Sequence, residues 1–362
     1  MKRKSLFRLL TTILGVLLAT ALIAAGCGDD DEDTTSTTAA PTTTAAPAED
    51  PIHIGLVYDI GGRGDQSFND SAAEGIERAE ADFGITFDEV SPNDDGSNRG
   101  NLLNLQSDNA DLVFGIGFLF ADDMKDVAAA NPDTCFGIVD GFIEEATDNV
   151  AMLLFAEHEG SFLVGAAAAL KTQTNRLGFI GGVNNELIQR FEAGFTAGAE
   201  AINPNIQIDS QYITEPPNFD GFNDPAGARV ISERMYSDGA DIIYHAAGGS
   251  GAGLFEAAKE YSDTNESKVW AIGVNSDQYN TVDESLREFI LTSMLKRVDV
   301  SVYDTIAAAN TGDCLSGAQT FNLASDGVGY STTGGFVDDI ADQLDEFKQQ
   351  IIDGEIEVPD TV

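Results

Sequence analysis

Asp59, Asp65, Ser67, Phe68, Asn69 and Asp70 crowd around a glycine-rich turn, Gly61-Gly62-Arg63-Gly64. Their chemistry is that of recognition. A carboxylate accepts hydrogen bonds from a ligand's N–H and O–H groups, and the Asn69 amide offers two donors and an acceptor. The Phe68 ring adds a flat apolar face. Glycines let backbone come close to a bound molecule. Ser67 and Asp70 have the spacing of a capping box, which predicts a helix beginning near Ser67 with free N–H groups aimed into a cleft. Taken alone, the same residues also describe a plain turn and a helix cap. Gly62-Arg63-Gly64 lacks the third glycine of a dinucleotide fingerprint, and no Gly-Lys-Ser/Thr makes a phosphate loop.

Further polar and glycine residues end other apolar runs: Gly117-Phe118, Asp140, Gly248-Gly249-Ser250-Gly251, Asn275-Ser276-Asp277-Gln278 and Lys296. Gathered at one edge of a sheet, such residues build a concave site. Catalysis finds less support. His53, His158 and His245 are scattered without a metal-ligand spacing. No Gly-x-Ser-x-Gly elbow is present. Asp59 and Asp140 could serve as acid and base, but nothing identifies a nucleophile, and both suit acceptor roles at least as well. The expectation is no catalytic residue, no metal and no cofactor.

The elements that position these residues alternate. Strand-like runs are Ile52–Tyr58, Ile85–Val90, Asp111–Ile116, Thr134–Val139, Val150–Phe155, Arg176–Ile180, Ile206–Ile213, Asp241–Ala246, Val269–Val274 and Phe289–Ser293. Helical runs fall between most of them, and Arg297–Ala309 and Val337–Ile352 are two more. This alternation predicts an α/β protein of parallel sheets covered by helices. The series restarts after Phe155, so a second lobe is expected there. From Pro51 the chain runs for about 310 residues, which suits two cores better than one.

The N-terminus reads differently. Lys2, Arg3, Lys4 and Arg8 precede an apolar stretch, Leu9 to Ala25, closed by Gly26-Cys27. Basic start, apolar run and small residues make an export signal. Its ending looks like a bacterial lipobox with Cys27 as the acylated first residue of the mature chain. Residues 1–26 are therefore expected to be a lipoprotein signal peptide. Residues 27–50, with Asp29-Asp30-Asp31-Glu32-Asp33 and a Thr/Ala/Pro tract, cannot bury a core and are expected to be a disordered tether. Formal net charge is −42, which argues against a nucleic-acid partner. Beyond Cys27, Cys135 and Cys314 permit one disulfide or two buried thiols.

A series of stretches resembles the basic membrane protein family of ABC-transporter solute-binding lipoproteins, whose best-understood members are purine nucleoside receptors. They are Asp65-Gln66-Ser67-Phe68-Asn69 with Glu74-Gly75, Phe136-Gly137-Ile138-Val139-Asp140, Glu159-Gly160-Ser161-Phe162-Leu163-Val164-Gly165 and Gly178-Phe179-Ile180-Gly181-Gly182. Phe191-Glu192-Ala193-Gly194-Phe195, Ala247-Gly248-Gly249-Ser250-Gly251, Ile272-Gly273-Val274 with Asp277-Gln278, and Leu291-Thr292-Ser293-Met294 with Lys296-Arg297 continue the series.

The resemblance implies a type I periplasmic-binding-protein fold of two doubly wound lobes joined by crossover strands. Residues 51–155 and 275–322 would form lobe 1, and residues 156–274 and 323–362 lobe 2. That topology would bring Cys135 and Cys314 into one lobe, where they could pair. Phe68 and Phe222 match the rings that sandwich the purine, with Phe219 a competing choice in the same loop. Asn69 and Asp140 match residues that hydrogen-bond the base. Asp59, Gly248 and Lys296 match the ribose side, where Asn275 replaces the family's aspartate. The implied function is capture of a nucleoside outside the cytoplasm, by a protein lipid-anchored to the cell membrane, and delivery to an ABC transporter permease. The alternatives are a tethered sensor of the same fold read by a signalling partner, and a nucleoside hydrolase.

Overall fold

Short runs of Val, Ile, Leu and Phe become parallel strands when helices cover both of their faces. The computed structural model describes residues 51–93 and 96–362. The expected signal peptide, the tether and Cys27 lie outside the described residues. The first sheet takes β1 (His53–Val57), β2 (Thr86–Val90), β3 (Leu112–Ile116), β4 (Cys135–Val139) and β5 (Val150–Phe155), linked through α1 (Phe68–Phe83), α2 (Arg99–Ser107) and α3 (Ala121–Ala130). The chain then passes into α4 (Glu157–Lys171), β6 (Arg176–Val183), α5 (Glu186–Ile202), β7 (Gln207–Thr214), α6 (Pro225–Ser237), β8 (Ile242–Ala246) and α7 (Gly251–Asn265). Next come β9 (Trp270–Asn275), the short α8 (Gln278–Thr281) and α9 (Glu284–Arg287), and β10 (Ile290–Lys296). Finally α10 (Val298–Ala309) and β11 (Gly317–Phe321) go back to the first body, and β12 (Val328–Tyr330) and α11 (Ala341–Ile352) close the second.

Strand order is β11-β5-β4-β3-β1-β2 in one sheet and β12-β10-β9-β8-β6-β7 in the other. Every pairing is parallel except β10 with β12. This is the α/β, two-lobed, type I binding-protein architecture.

The lobe division needs one correction. The chain was expected to return to the first lobe at residue 275. Instead β10 pairs with β9 along its length, so residues through Lys296 stay with the second sheet. The return begins at α10, which packs on α1. The apolar alternation of β10 cannot say which sheet receives it, because a buried strand reads alike in either. β11 and β12 were not expected at all. Each is short and carries the half-buried residues of a sheet edge.

Ile54, Leu56, Phe114 and Ile116 fill the centre of the first lobe, and Phe179, Tyr244 and Ile272 that of the second, all fully buried. Against the second sheet, α4 and α5 come unusually close. A Cβ at Gly165 would meet the Phe195 carbonyl oxygen and one at Gly198 that of Phe162, so only glycine fits this helix crossing. Cys135, opening β4, is bonded to Cys314, ahead of β11, with Cα atoms 5.7 Å apart. The bond ties the late-returning segment to the body of the first lobe.

Candidate functional site

All eight residues expected at the ligand line one cleft between the two sheets: Asp59, Phe68, Asn69, Asp140, Phe222, Gly248, Asn275 and Lys296. The cleft holds about 570 Å³ of empty space, part of it open to solvent at the mouth. It lies at the carboxyl ends of the strands, where each sheet reverses its winding. In the first sheet that point falls between β1 and β3, and in the second between β6 and β8. Asp59 follows β1, Gly117 and Phe118 follow β3, and Gly248 follows β8.

The loop entering α1 is organised differently from the capping-box expectation. Ser67 is the N-cap but makes no side-chain cap bond. The Asp65 carboxylate does that work, accepting the N–H groups of Ser67, Asn69 and Asp70 at 2.9, 2.9 and 3.1 Å. Those N–H groups are therefore spent inside the loop rather than aimed at a ligand. Asp70 in turn accepts from the N–H groups of Gly64 and Gln66. Asn69 is also largely committed. Its Oδ1 accepts from the Asp59 N–H at 2.9 Å, and its Nδ2 donates to the Ile60 carbonyl and to Asp65. The expected base-reading amide thus braces the turn that presents Asp59.

Ser67, freed from capping, reaches the opposite lobe. Its hydroxyl donates to the Val274 carbonyl at 3.1 Å and accepts from Asn275 Nδ2 at 2.9 Å. Ser276 Oγ and Gln278 Nε2 donate to the carbonyls of Ser67 and Gln66. The start of α1 is so pinned to the end of β9. Asn275 keeps its Oδ1 buried without a partner among the described residues.

A buried ion cluster closes one side. Lys296 Nζ, only 1% exposed, donates to Asp140 Oδ2 at 2.6 Å and to Glu157 Oε1 at 3.0 Å. Asp140 comes from the first lobe and Lys296 and Glu157 from the second. Burial works against the ammonium, but the two carboxylates outweigh it and raise its pKa. Burial pushes Asp140 up to about 6, against the pull of Lys296 and with added repulsion from Glu157. Burial likewise pushes Asp59 up to about 7, opposed by the Ile60 N–H and by Arg99, whose Nη2 lies 3.9 Å away. Asp140 Oδ1, like Asn275 Oδ1, is buried without a partner among the described residues. Both residues hold left-handed backbone, φ 62° and 65°, a conformation Asp and Asn tolerate better than other non-glycine residues. Asp140, matched to the base side, and Lys296, matched to the ribose side, are thus in direct contact.

Aromatic walls complete the cleft. Phe68 comes from α1 and Phe222 from the turn after β7, one from each lobe. Phe219 is not among the lining residues; it sits edge-on to Phe118 with ring centroids 5.9 Å apart. Phe191, Leu187 and Ile188 of α5 line the cleft as well. The sequence reading did not assign Glu157 or these α5 residues. Glu157 follows a strand end as Asp140 does, and that position was the signal available. The α5 side chains carry no such mark. His245 is buried, bonded to Gln278 at 2.9 Å and lowered by burial to about 4, so it is a neutral structural group. His53 bonds Thr86 and Asp88 away from the cleft. Among the described residues no three His, Cys, Asp or Glu side chains are grouped to hold a metal ion. No helix among them is long and apolar enough to cross a membrane.

Residues 52–362 match the family described as ABC transporter substrate-binding protein PnrA-like. A CD4+ T-cell-stimulating antigen of Listeria monocytogenes is 38% identical over 325 residues, covering 85% of this chain and 88% of its own. An ABC transporter nucleoside-binding protein, BmpA, of Lactococcus lactis is 36% identical over 318 residues, covering 84% and 88%. Among solved structures, an ABC transporter solute-binding protein of Aeropyrum pernix superimposes with a TM-score of 0.75 at 28% identity, covering 85% of this chain and 94% of its own.

Proposed function

Since the chain belongs to the PnrA-like family of ABC-transporter substrate-binding proteins, we propose that its ligand is a nucleoside, with a purine base, handed to an ABC importer. The carrying observation is the pairing of aromatic walls with unpartnered acceptors. Phe68 and Phe222 face the cleft from opposite lobes, and Asp140 Oδ1 and Asn275 Oδ1 are buried there without donors among the described residues. A ligand that satisfies both has a flat π-system and N–H and O–H groups around it. The Lactococcus relative, named for nucleoside binding, supports the same reading.

In this reading the base lies between Phe68 and Phe222, and Asp140 accepts a ring N–H. Asp59, Asn275 and Lys296 serve the sugar, and Gly248 leaves room beside it. A Cβ at Gly248 would come within 3.2 Å of the Phe222 carbonyl oxygen. Lobe closure is a hinge motion about the segments that cross between sheets. The reading contains no catalytic step. It places the protein outside the cytoplasm, tethered to the cell membrane by a lipid on Cys27. A lipid mass on the N-terminal peptide of the mature protein tests that anchor, and an unmodified N-terminus elsewhere removes it. Mass spectrometry of the small molecule carried through gentle purification tests the ligand. A purine nucleoside supports the proposal, and a sugar or amino acid in its place overturns it.

A further inference from the structure

Glu157 is a fully buried carboxylate at the first residue of α4. It does not line the cleft, yet it binds the lysine that does. An ammonium has three N–H donors. Lys296 gives one to Asp140 and one to Glu157, which leaves one. Asp140 spends Oδ2 on the lysine and keeps Oδ1. Were Glu157 neutral, Asp140 would be the sole carboxylate partner of a buried ammonium. The strongest arrangement would then draw both carboxylate oxygens onto the lysine and away from a ligand. Glu157 also shares a lobe with Lys296, whereas Asp140 lies across the cleft. Lobe separation would loosen the Asp140 contact and leave the Glu157 contact in place. Arg190 of α5 lies 3.9 Å from Glu157 Oε2, an oxygen with no hydrogen-bond partner among the described residues.

We propose that Glu157 is a positioning residue for ligand capture: it shares the Lys296 ammonium with Asp140, so that one lysine N–H and one Asp140 oxygen stay free for the ligand. The ligand half of this inference rests on the nucleoside reading above. The charged groups facing Asp140 are Lys296 on β10, Glu157 on α4, Arg190 on α5 and, across the cleft floor, Asp59 after β1. Glu157 adds repulsion that favours the protonated form of Asp140. Removing its charge therefore moves the protonation of Asp140 to lower pH, which a merely structural role would not do.

The test uses mature protein and two readouts. Without ligand, Lys296 should resist acetic anhydride in the wild type. In Glu157→Gln it should label faster by roughly tenfold or more, the scale of losing one buried charge partner. With inosine and guanosine, Glu157→Gln should bind more weakly near neutral pH, and the acid-side loss of affinity should shift to lower pH. A uniform loss at every pH, or a Lys296 as protected as in the wild type, overturns the proposal. If the wild type binds neither nucleoside, the functional reading falls, and labelling alone decides whether Glu157 holds Lys296. Should Glu157→Gln not fold, Glu157→Asp, which keeps the charge but withdraws it by a methylene, is read by labelling: a smaller rise is expected, and a Lys296 as protected as in the wild type overturns the proposal.

Discussion

Asn275 donates its side-chain N–H to Ser67 Oγ over 2.9 Å, and the Ser67 hydroxyl donates its own hydrogen bond to the Val274 carbonyl. The hydroxyl can therefore only accept from residue 275. This settles where the asparagine NH₂ goes and leaves its carbonyl oxygen as the group available to the cleft. An aspartate here would face a lone pair until the hydroxyl rotated and abandoned Val274. We expect Asn275→Asp to destabilise the unliganded protein by about 1 kcal/mol, the worth of one hydrogen bond, as read by urea unfolding. It should also tighten a purine nucleoside more than the free base, because a charged acceptor forms stronger bonds to ribose hydroxyls. Equal tightening of both would detach residue 275 from the sugar.

Phe68→Ala and Phe222→Ala should each weaken nucleoside binding by about 2 kcal/mol or more, the scale of a buried aromatic anchor. Phe219→Ala should do much less, because Phe219 lies outside the cleft lining and packs on Phe118. Titration of the three variants decides this. A large loss at Phe219 with none at Phe222 would reverse the assignment within the loop.

Burial pushes Asp59 up to about 7 and raises Asp140 as well in the folded protein, well above the roughly 3.9 of an unfolded aspartate. Between these limits the native state holds more protons than the unfolded one, so their contribution to stability is present at the acid end and is lost as pH rises through 6 to 7. Thermal unfolding of the unliganded protein should show this contribution growing from about pH 7.5 to about pH 5, and Asp59→Asn should flatten the rise. Ligand affinity should move the opposite way, because a protonated carboxyl loses acceptor capacity. A pH profile of stability identical in the wild type and Asp59→Asn would contradict the burial of this charge.

Reduction of the Cys135–Cys314 bond should lower stability by about 2–5 kcal/mol, the range for a native disulfide closing a long loop. Denaturation with and without reductant measures it. Two alkylatable thiols in protein purified natively without reductant would remove the bond from the native state.

The alternation of apolar runs and amphipathic helices was enough to place most strands within a residue or two, as at Val150–Phe155. Strand-end chemistry then led to the cleft. What stayed hidden depends on partners distant in sequence. β10 could have belonged to either sheet, and β11 and β12 have too few apolar residues to stand out. The capping role fell to Asp65 because Ser67 is drawn to Val274 and Asn275, more than two hundred positions away. Asn69 was expected to read the ligand on the strength of its motif, but its amide is absorbed by Asp59, Ile60 and Asp65. Glu157 was passed over because its importance comes from Lys296, which lies far along the chain on another element.

Calorimetric titration of the folded protein with a purine nucleoside, the matching free base and free ribose decides whether the cleft is a nucleoside site. The nucleoside should bind saturably at one site, the base more weakly and ribose not at all, with nucleoside binding abolished or severely weakened in Phe68→Ala. Tight binding of a sugar by a protein indifferent to nucleosides and to Phe68→Ala would contradict the nucleoside assignment.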